Sequence, residues 1–431
     1  MSARRLTAAL AALLACTAAP ALAQTVAITG GKVVIGDGSD PIEGGTVLVQ
    51  NGKVTAAGRD VVVPAGIPTV DAKGKWVTPG LVVAVTDIGL YDVEAVDDSN
   101  DTDADKNPFS ASLDISYAIN PDAQHIKVSR AGGVTRAAIA PIGTTEIFGG
   151  QGAIIDLGGD PDPVVAARAF QYVELGETGA ARAGGSRVAA WAELHNALLE
   201  AKELALAPAG PRRDDVMLNR RDAQALIPVV TGRQPLYVHV ERVADIRMVL
   251  GLRKEFPLIK LAIVGATEGW MVASELAKAG VPVFATPLTD LPGSFEKLGA
   301  TQSNVGRMKA AGVKVALGAF FDQPRYAPQY AGNLVSLTKV PGASGLSWNQ
   351  AFAAITSAPA EALGMGDRFG SLRPGRAGDV VIWDGDPLEV TSGVSKVYID
   401  GVEQSLKSHQ TQLRDRYLNP GDGALPKAYN W

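Results

Sequence analysis

Six short runs of almost unbroken apolar residues constrain this chain more than any other feature. They are Leu81–Val85, Thr135–Ala140, Leu236–Val240, Leu261–Val264, Val281–Ala285 and Val313–Gly318. A strand with one face in water alternates apolar and polar residues, whereas a strand covered on both faces reads as a continuous apolar run. Such runs suit parallel strands, and parallel neighbours need a crossover between them. Helical segments lie between the runs. The clearest spans Arg187 to Leu206, with Trp191, Leu194, Leu198 and Ala201 on one face. Strands and helices alternating at this spacing predict an α/β fold, a (β/α)8 barrel.

The chain ends follow a different pattern. Val26 to Thr78 is strand-rich and has no helical period. Lys32–Ile35, Thr46–Gln50 and Lys53–Ala57 are short and β-branched, and Asn51-Gly52 between the last two is a hairpin signal. Strands return at Asp379–Trp383 and Val394–Ile399, followed by the turn Asp400-Gly401. Pairing of the two ends into one small composite β-sandwich is the expectation. The predicted layout is a signal segment at 1–23, an N-terminal sandwich segment at 24–78, the barrel at 79–365, a C-terminal sandwich segment at 366–405, and a polar, poorly packed tail at 406–431.

Arg4 and Arg5, the apolar run Leu6 to Ala15, and Ala21-Leu22-Ala23 before Gln24 have the order of an export signal. Cys16, the only cysteine, lies inside it. Cleavage after Ala23 would discard that thiol. Alternatively, Leu13-Leu14-Ala15-Cys16 is lipobox-like, and Cys16 would carry a lipid anchor. Both readings predict a periplasmic or secreted protein. No later stretch is apolar for long enough to span a membrane. With 40 basic and 45 acidic residues the net charge is −5, which offers no basic surface for nucleic acid. The acidic stretch Asp92 to Lys106 lacks the glycine and closing glutamate of a calcium loop and reads as solvated.

Several segments together resemble the amidohydrolase superfamily, in particular its exported imidazolonepropionase-like and prolidase-like members. They are VAITGGKVVIGDGSDPIEGGTVLVQNGKVTAAG at the start, GKWVTPGL before the first barrel strand, GGVT and GGQGAIIDL in the second and third strand regions, and GSLRPGRAGDVVIWDGDPLE at the close. The resemblance runs from about residue 25 to about residue 405. It implies metal-dependent hydrolysis of C–N bonds, with zinc or another divalent ion held at the C-terminal strand ends. Such an ion lowers the pKa of bound water to ~7.

The resemblance places most ligand positions on residues that bind no metal. The first-strand His-x-His pair falls on Val85 and Asp87, and the aspartate preceding it in many members on Val83. The fourth-strand lysine falls near Tyr172 and the sixth-strand histidine on Gly265. The eighth-strand aspartate falls on Ala319-Phe320, with Asp322 two residues beyond. Only the fifth-strand histidine is kept, as His239. His239 reads either as a general base or remnant ligand, or as a histidine bonded to its neighbours at the barrel top. Asp87, Glu268 and Asp322 are the other candidates for a remnant pocket, and His125, His195 and His409 read as surface residues. Two functions follow. One is a degenerate homologue, a pseudoenzyme binding a small molecule or a paralogous amidohydrolase subunit. The other is an exported hydrolase of C–N bonds that uses a non-standard site.

Overall fold

The computed structural model describes residues 25–93, 96–104, 107–141, 145–208, 210, 214–318 and 323–418. The N-terminal signal segment, Cys16, Ala319-Phe320 and Asp322 lie outside them. Five strands come first: β1 (Val26–Val33), β2 (Ile42–Gln50), β3 (Lys53–Gly58), β4 (Thr69–Asp71) and β5 (Trp76–Pro79). Eight follow: β6 (Leu81–Thr86), β7 (Val134–Ile139), β8 (Phe148–Asp156), β9 (Val164–Glu174), β10 (Leu236–Val240), β11 (Leu261–Gly265), β12 (Val283–Ala285) and β13 (Val315–Leu317). Three close the chain: β14 (Val380–Trp383), β15 (Val394–Ile399) and β16 (Val402–Glu403).

The chain ends form one hydrogen-bonded sheet in the order β16-β15-β14-β5-β1-β2-β3, with β4 on β1. Asn51 and Gly52 turn β2 into β3 with φ of 51° and 74°, the left-handed geometry that a two-residue hairpin requires. Val54 of β3 and Tyr398 of β15, near opposite ends of this order, pack into one apolar cluster with Ile28, Val47 and Val77. The sheet therefore curls around a shared core.

The second sheet runs from β6 to β13 in chain order and is nearly a closed barrel. Its seam is bridged by chain rather than by direct pairing. The carbonyl of Ala354 accepts from the Leu317 amide at 2.9 Å, and that of Ile355 from the Val82 amide at 3.0 Å. All six apolar runs lie on parallel strands, but β8 departs from the (β/α)8 expectation. It runs antiparallel to both β7 and β9. No helix crosses between these strands among the described residues. The helix Arg187–Leu206 forms as expected, with Leu194, Leu198 and Ala201 buried. The final described helix, His409–Leu418, buries nothing.

Aromatic rings fill the barrel. Phe170 stacks on Tyr237 with centroids 4.2 Å apart, and Tyr237 meets Phe284 at 5.1 Å. Gly152 makes room for this layer, since a Cβ there would lie 2.1 Å from Phe170 Cζ. Below it, Arg136 of β7 joins the barrel to the terminal sheet. Its Nε and Nη2 donate to the two oxygens of Asp379 at 2.7 and 2.9 Å, and Nη2 also meets Asp400 at 2.8 Å.

Candidate functional site

The C-terminal strand ends of the barrel gather an ion network around His239. Side chains two apart on a strand share a face, so β9 turns Phe170, Tyr172 and Glu174 inward while β10 and the residue after it do the same with Tyr237, His239 and Glu241. In the parallel register His239 pairs with Glu174, and Tyr237 with Tyr172. The residue beside the kept histidine is therefore Glu174, one inward position beyond the Tyr172 expected there. Its carboxylate meets His239 Nδ1, and its other oxygen accepts from the Tyr172 hydroxyl at 3.3 Å.

The opposite ring nitrogen is also engaged. His239 Nε2 meets Glu241 Oε1 at 3.2 Å. The same oxygen lies 3.2 Å from Lys297 Nζ. The second Glu241 oxygen accepts from the Thr267 amide and from the Thr267 hydroxyl, each at 2.7 Å. Glu241 is 1% exposed and His239 21%. Burial works against charge on the ring, but Glu174 and Glu241 outweigh it and hold the His239 pKa well above its ordinary value. Burial likewise opposes a charged Glu241, yet His239, Lys297 and Thr267 bring that carboxyl down to about 2. Glu296 extends the network by accepting from the Glu177 amide at 2.7 Å and meeting Arg187 at 3.3 Å, and its pKa is raised, chiefly by burial.

An imidazolium between two carboxylates holds both of its protons, so it has no lone pair to give a metal or to take a proton from water. The sixth-strand position is closed in another way. Gly265 has φ +88°, and a Cβ there would fall 2.8 Å from Glu241 Cδ and from both of its carboxylate oxygens. The space that a side chain at 265 would enter holds the Glu241 carboxylate. Val85 lies among Ala84, Ala138 and Phe284 in the barrel core. Among the described residues no group of three or more His, Cys, Asp or Glu is arranged to hold a metal ion.

Of the described candidates, neither Asp87 nor Glu268 makes the His239 ring bonds. Asp87 follows β6, half-buried. Glu268, a candidate for the remnant pocket, is buried and accepts from the Val243 and Gly299 amides, each at 2.9 Å, tying two loops together. His195 meets Glu255 at 2.6 Å and the His125 ring lies tilted against Tyr91 with centroids 4.5 Å apart, and each is only partly at the surface. Glu174, Lys297 and Thr267 join the site through the fold alone. The alternation Tyr-x-His-x-Glu over 237–241 is the one sequence signal that points to Glu241. No periodicity marks Lys297, which ends the single 3-10 turn Phe295–Lys297 after β12.

The electrostatics predict a pH dependence. A raised histidine pKa gives stability that is complete below the unfolded value near 6.5 and is lost as pH rises toward the folded value. A lowered glutamate pKa gives stability that is present above 4.5 and is lost as pH falls through about 2. The His239 ring therefore titrates above the ordinary histidine range in an NMR titration. Glu174→Gln and Glu241→Gln each shift its titration downward. A ring titrating at an ordinary histidine pKa in the unchanged protein would contradict the network.

Comparison with known proteins comes to the same scaffold. Residues 238–403 match the sequence profile of the amidohydrolase family. The amidohydrolase tasK of Hapsidospora irregularis is 27% identical over 391 residues, covering 79% of this chain and 38% of that protein. An imidazolonepropionase of Maricaulis maris (strain MCS10) is 35% identical over 117 residues, covering 26% of this chain and 28% of that one. The matches thus span well under half the length of either curated relative. Among solved structures, an amidohydrolase from Thermotoga maritima MSB8 superposes with a TM-score of 0.76 at 27% identity, covering 88% of this chain and 99% of that one. Phenylurea hydrolase B shares the fold at 15% identity, with a TM-score of 0.54 and coverage of 89% and 97%.

Proposed function

Because this chain belongs to the amidohydrolase superfamily, we propose that it is a non-hydrolytic member, which binds a small molecule or a partner subunit at a barrel mouth built on ion pairs instead of a metal. The observation that carries this reading is the engagement of both His239 ring nitrogens by Glu174 and Glu241. On this reading the mouth does not fit a divalent ion. Its kept histidine is protonated, its sixth-strand position is filled by a carboxylate, and its first-strand position is a core valine. The mouth instead presents paired charges, His239 and Lys297 against Glu174 and Glu241, which suit a polar, zwitterionic ligand better than a neutral one. The export read from the N-terminal segment belongs to this proposal and puts the binding event outside the cytoplasm.

The test is metal-linked stability together with turnover. An ion that binds only the folded state raises the melting temperature by mass action. Zinc, manganese and cobalt leave it unchanged here, as does a chelator. N-acyl amino acids, dipeptides and cyclic imides are not hydrolysed above background with any of these ions supplied. A metal-dependent rise in melting temperature that disappears in His239→Ala would overturn the proposal. So would turnover abolished by Asp87→Ala or His239→Ala, which would establish a hydrolase with a non-standard site drawing on Asp87, His239, Glu268 or Asp322.

A further inference from the structure

The opposite end of the barrel holds a cavity of about 590 Å³, and its lining is strongly biased in charge. Arg233, Arg253, Lys260, Lys309 and Lys314 line it, with Glu361 as the one acid. The strand starts set this arrangement. Arg233 lies three residues before β10, Lys260 immediately before β11 and Lys314 immediately before β13. Two of the guanidinium groups are held by neutral oxygens: Arg233 donates to the Thr231 hydroxyl at 3.1 Å, and Arg253 to the Ala279 carbonyl at 2.7 Å. Among the described residues none of the five forms an ion pair, whereas Arg136, Arg187 and Arg247 elsewhere all meet carboxylates. A chain with net charge −5 thus collects five unpaired cations around one concavity. Low-dielectric walls focus such a field into the cavity.

A second observation points into the same space. Tyr237 is 1% exposed, stacks on Phe170 inside the barrel, and also lines this cavity. Its hydroxyl has no hydrogen-bond partner among the described residues. The hydroxyl opens to the cavity, so a ligand there can accept a hydrogen bond from it. Burial raises the Tyr237 pKa, so the group stays a donor. We propose that the N-terminal end of the barrel is a second binding site, distinct from the mouth, for a small molecule carrying two or more oxyanionic groups, either phosphates or carboxylates. The cations hold the anionic groups at the rim, and the Tyr237 hydroxyl donates to the portion that reaches farthest in. The volume is in the range of small-molecule sites, about 300–1,000 Å³. This site rests on the fold and the cavity, not on the reading of the mouth.

The test is calorimetric titration of the full chain at low salt with inorganic pyrophosphate and, separately, with citrate. At least one of them binds with a dissociation constant below about 1 mM, and salt weakens the binding. The stronger of the two identifies the phosphate or the carboxylate arm. The exposed pair Lys260→Glu with Lys314→Glu weakens binding about tenfold or more. Tyr237→Phe keeps the ring stack and weakens it about three- to tenfold. Lys73→Glu, in the turn between β4 and β5, leaves it unchanged. Equal weakening by Lys73→Glu would mean diffuse attraction and overturn the site. So would the absence of binding by both anions.

Discussion

Gly265→Ala lowers the stability of the fold by about 2–6 kcal/mol, read as a fall in the denaturant midpoint. Two terms add. A non-glycine residue at φ +88° is strained by about 1–3 kcal/mol wherever it sits. The new methyl group also enters the space of the Glu241 carboxylate, at 2.8 Å from three of its atoms. A flexible side chain would swing away at little cost, but this one is pinned by Thr267, His239 and Lys297. Moving it leaves the imidazolium facing one carboxylate fewer. The steric cost, unlike the backbone cost, is relieved when the carboxylate is removed. Gly265→Ala therefore costs less in a Glu241→Ala background than in the unchanged protein, a non-additivity of about 0.5–3 kcal/mol. A single variant within about 0.5 kcal/mol of the unchanged protein would show that Glu241 does not fill this space. The same geometry means that Gly265→His cannot restore a sixth-strand ligand unless Glu241 is replaced as well.

Arg136→Met is the second large effect, a loss of about 3–5 kcal/mol. Methionine preserves much of the volume and removes the cation that faces three aspartates. Asp379 is 4% exposed at its side chain and Asp156 13%, so neither can recover water in place of the lost charge. In the unchanged protein burial already pushes Asp156 up to about 6, against the pull of Arg136. The sign follows from that direction. A raised carboxyl pKa favours the folded state below the unfolded value near 3.8, and the benefit is lost as pH rises through about 6. The Arg136→Met deficit is accordingly larger at pH 8 than at pH 5, because protonation at the lower pH neutralises Asp156. Arg136→Lys does not restore stability, since one ammonium cannot grip both Asp379 oxygens and Asp400 in a fork. Equal deficits at the two pH values would show that these aspartates are not the source of the loss.

What the sequence showed depended on how local the physics was. Leu236–Val240 and Leu261–Val264 could be read as buried parallel strands because covering both faces leaves mostly apolar residues. Asn51-Gly52 announced its hairpin because few residue pairs tolerate two left-handed positions in succession. The reversed direction of β8 left no such mark, since Gly149 to Leu157 has the composition of a buried strand whichever way it runs. At the site, His239 was found through resemblance, while its partners arise from pairings between separate strands and loops. Glu174 lies 65 positions from His239 in sequence and beside it in register. The role of Gly265 was hidden for a related reason. Sequence shows that a ligand is missing there, whereas only the fold shows that a neighbouring carboxylate has taken its space.

The pairing of β14 with β5 has a consequence in time. As the chain emerges from the ribosome, β1 to β5 are complete by Pro79, but the strand that covers the free side of β5 begins at Val380. About 300 residues must be made in between, which at ~5–20 residues per second takes roughly 15–60 s. During that interval Trp76, Val77 and Thr78 form an unpaired strand edge, the kind of template on which other chains assemble. The small sheet thus begins to be made long before it can close, and the nascent chain depends for that interval on being kept apart from its copies.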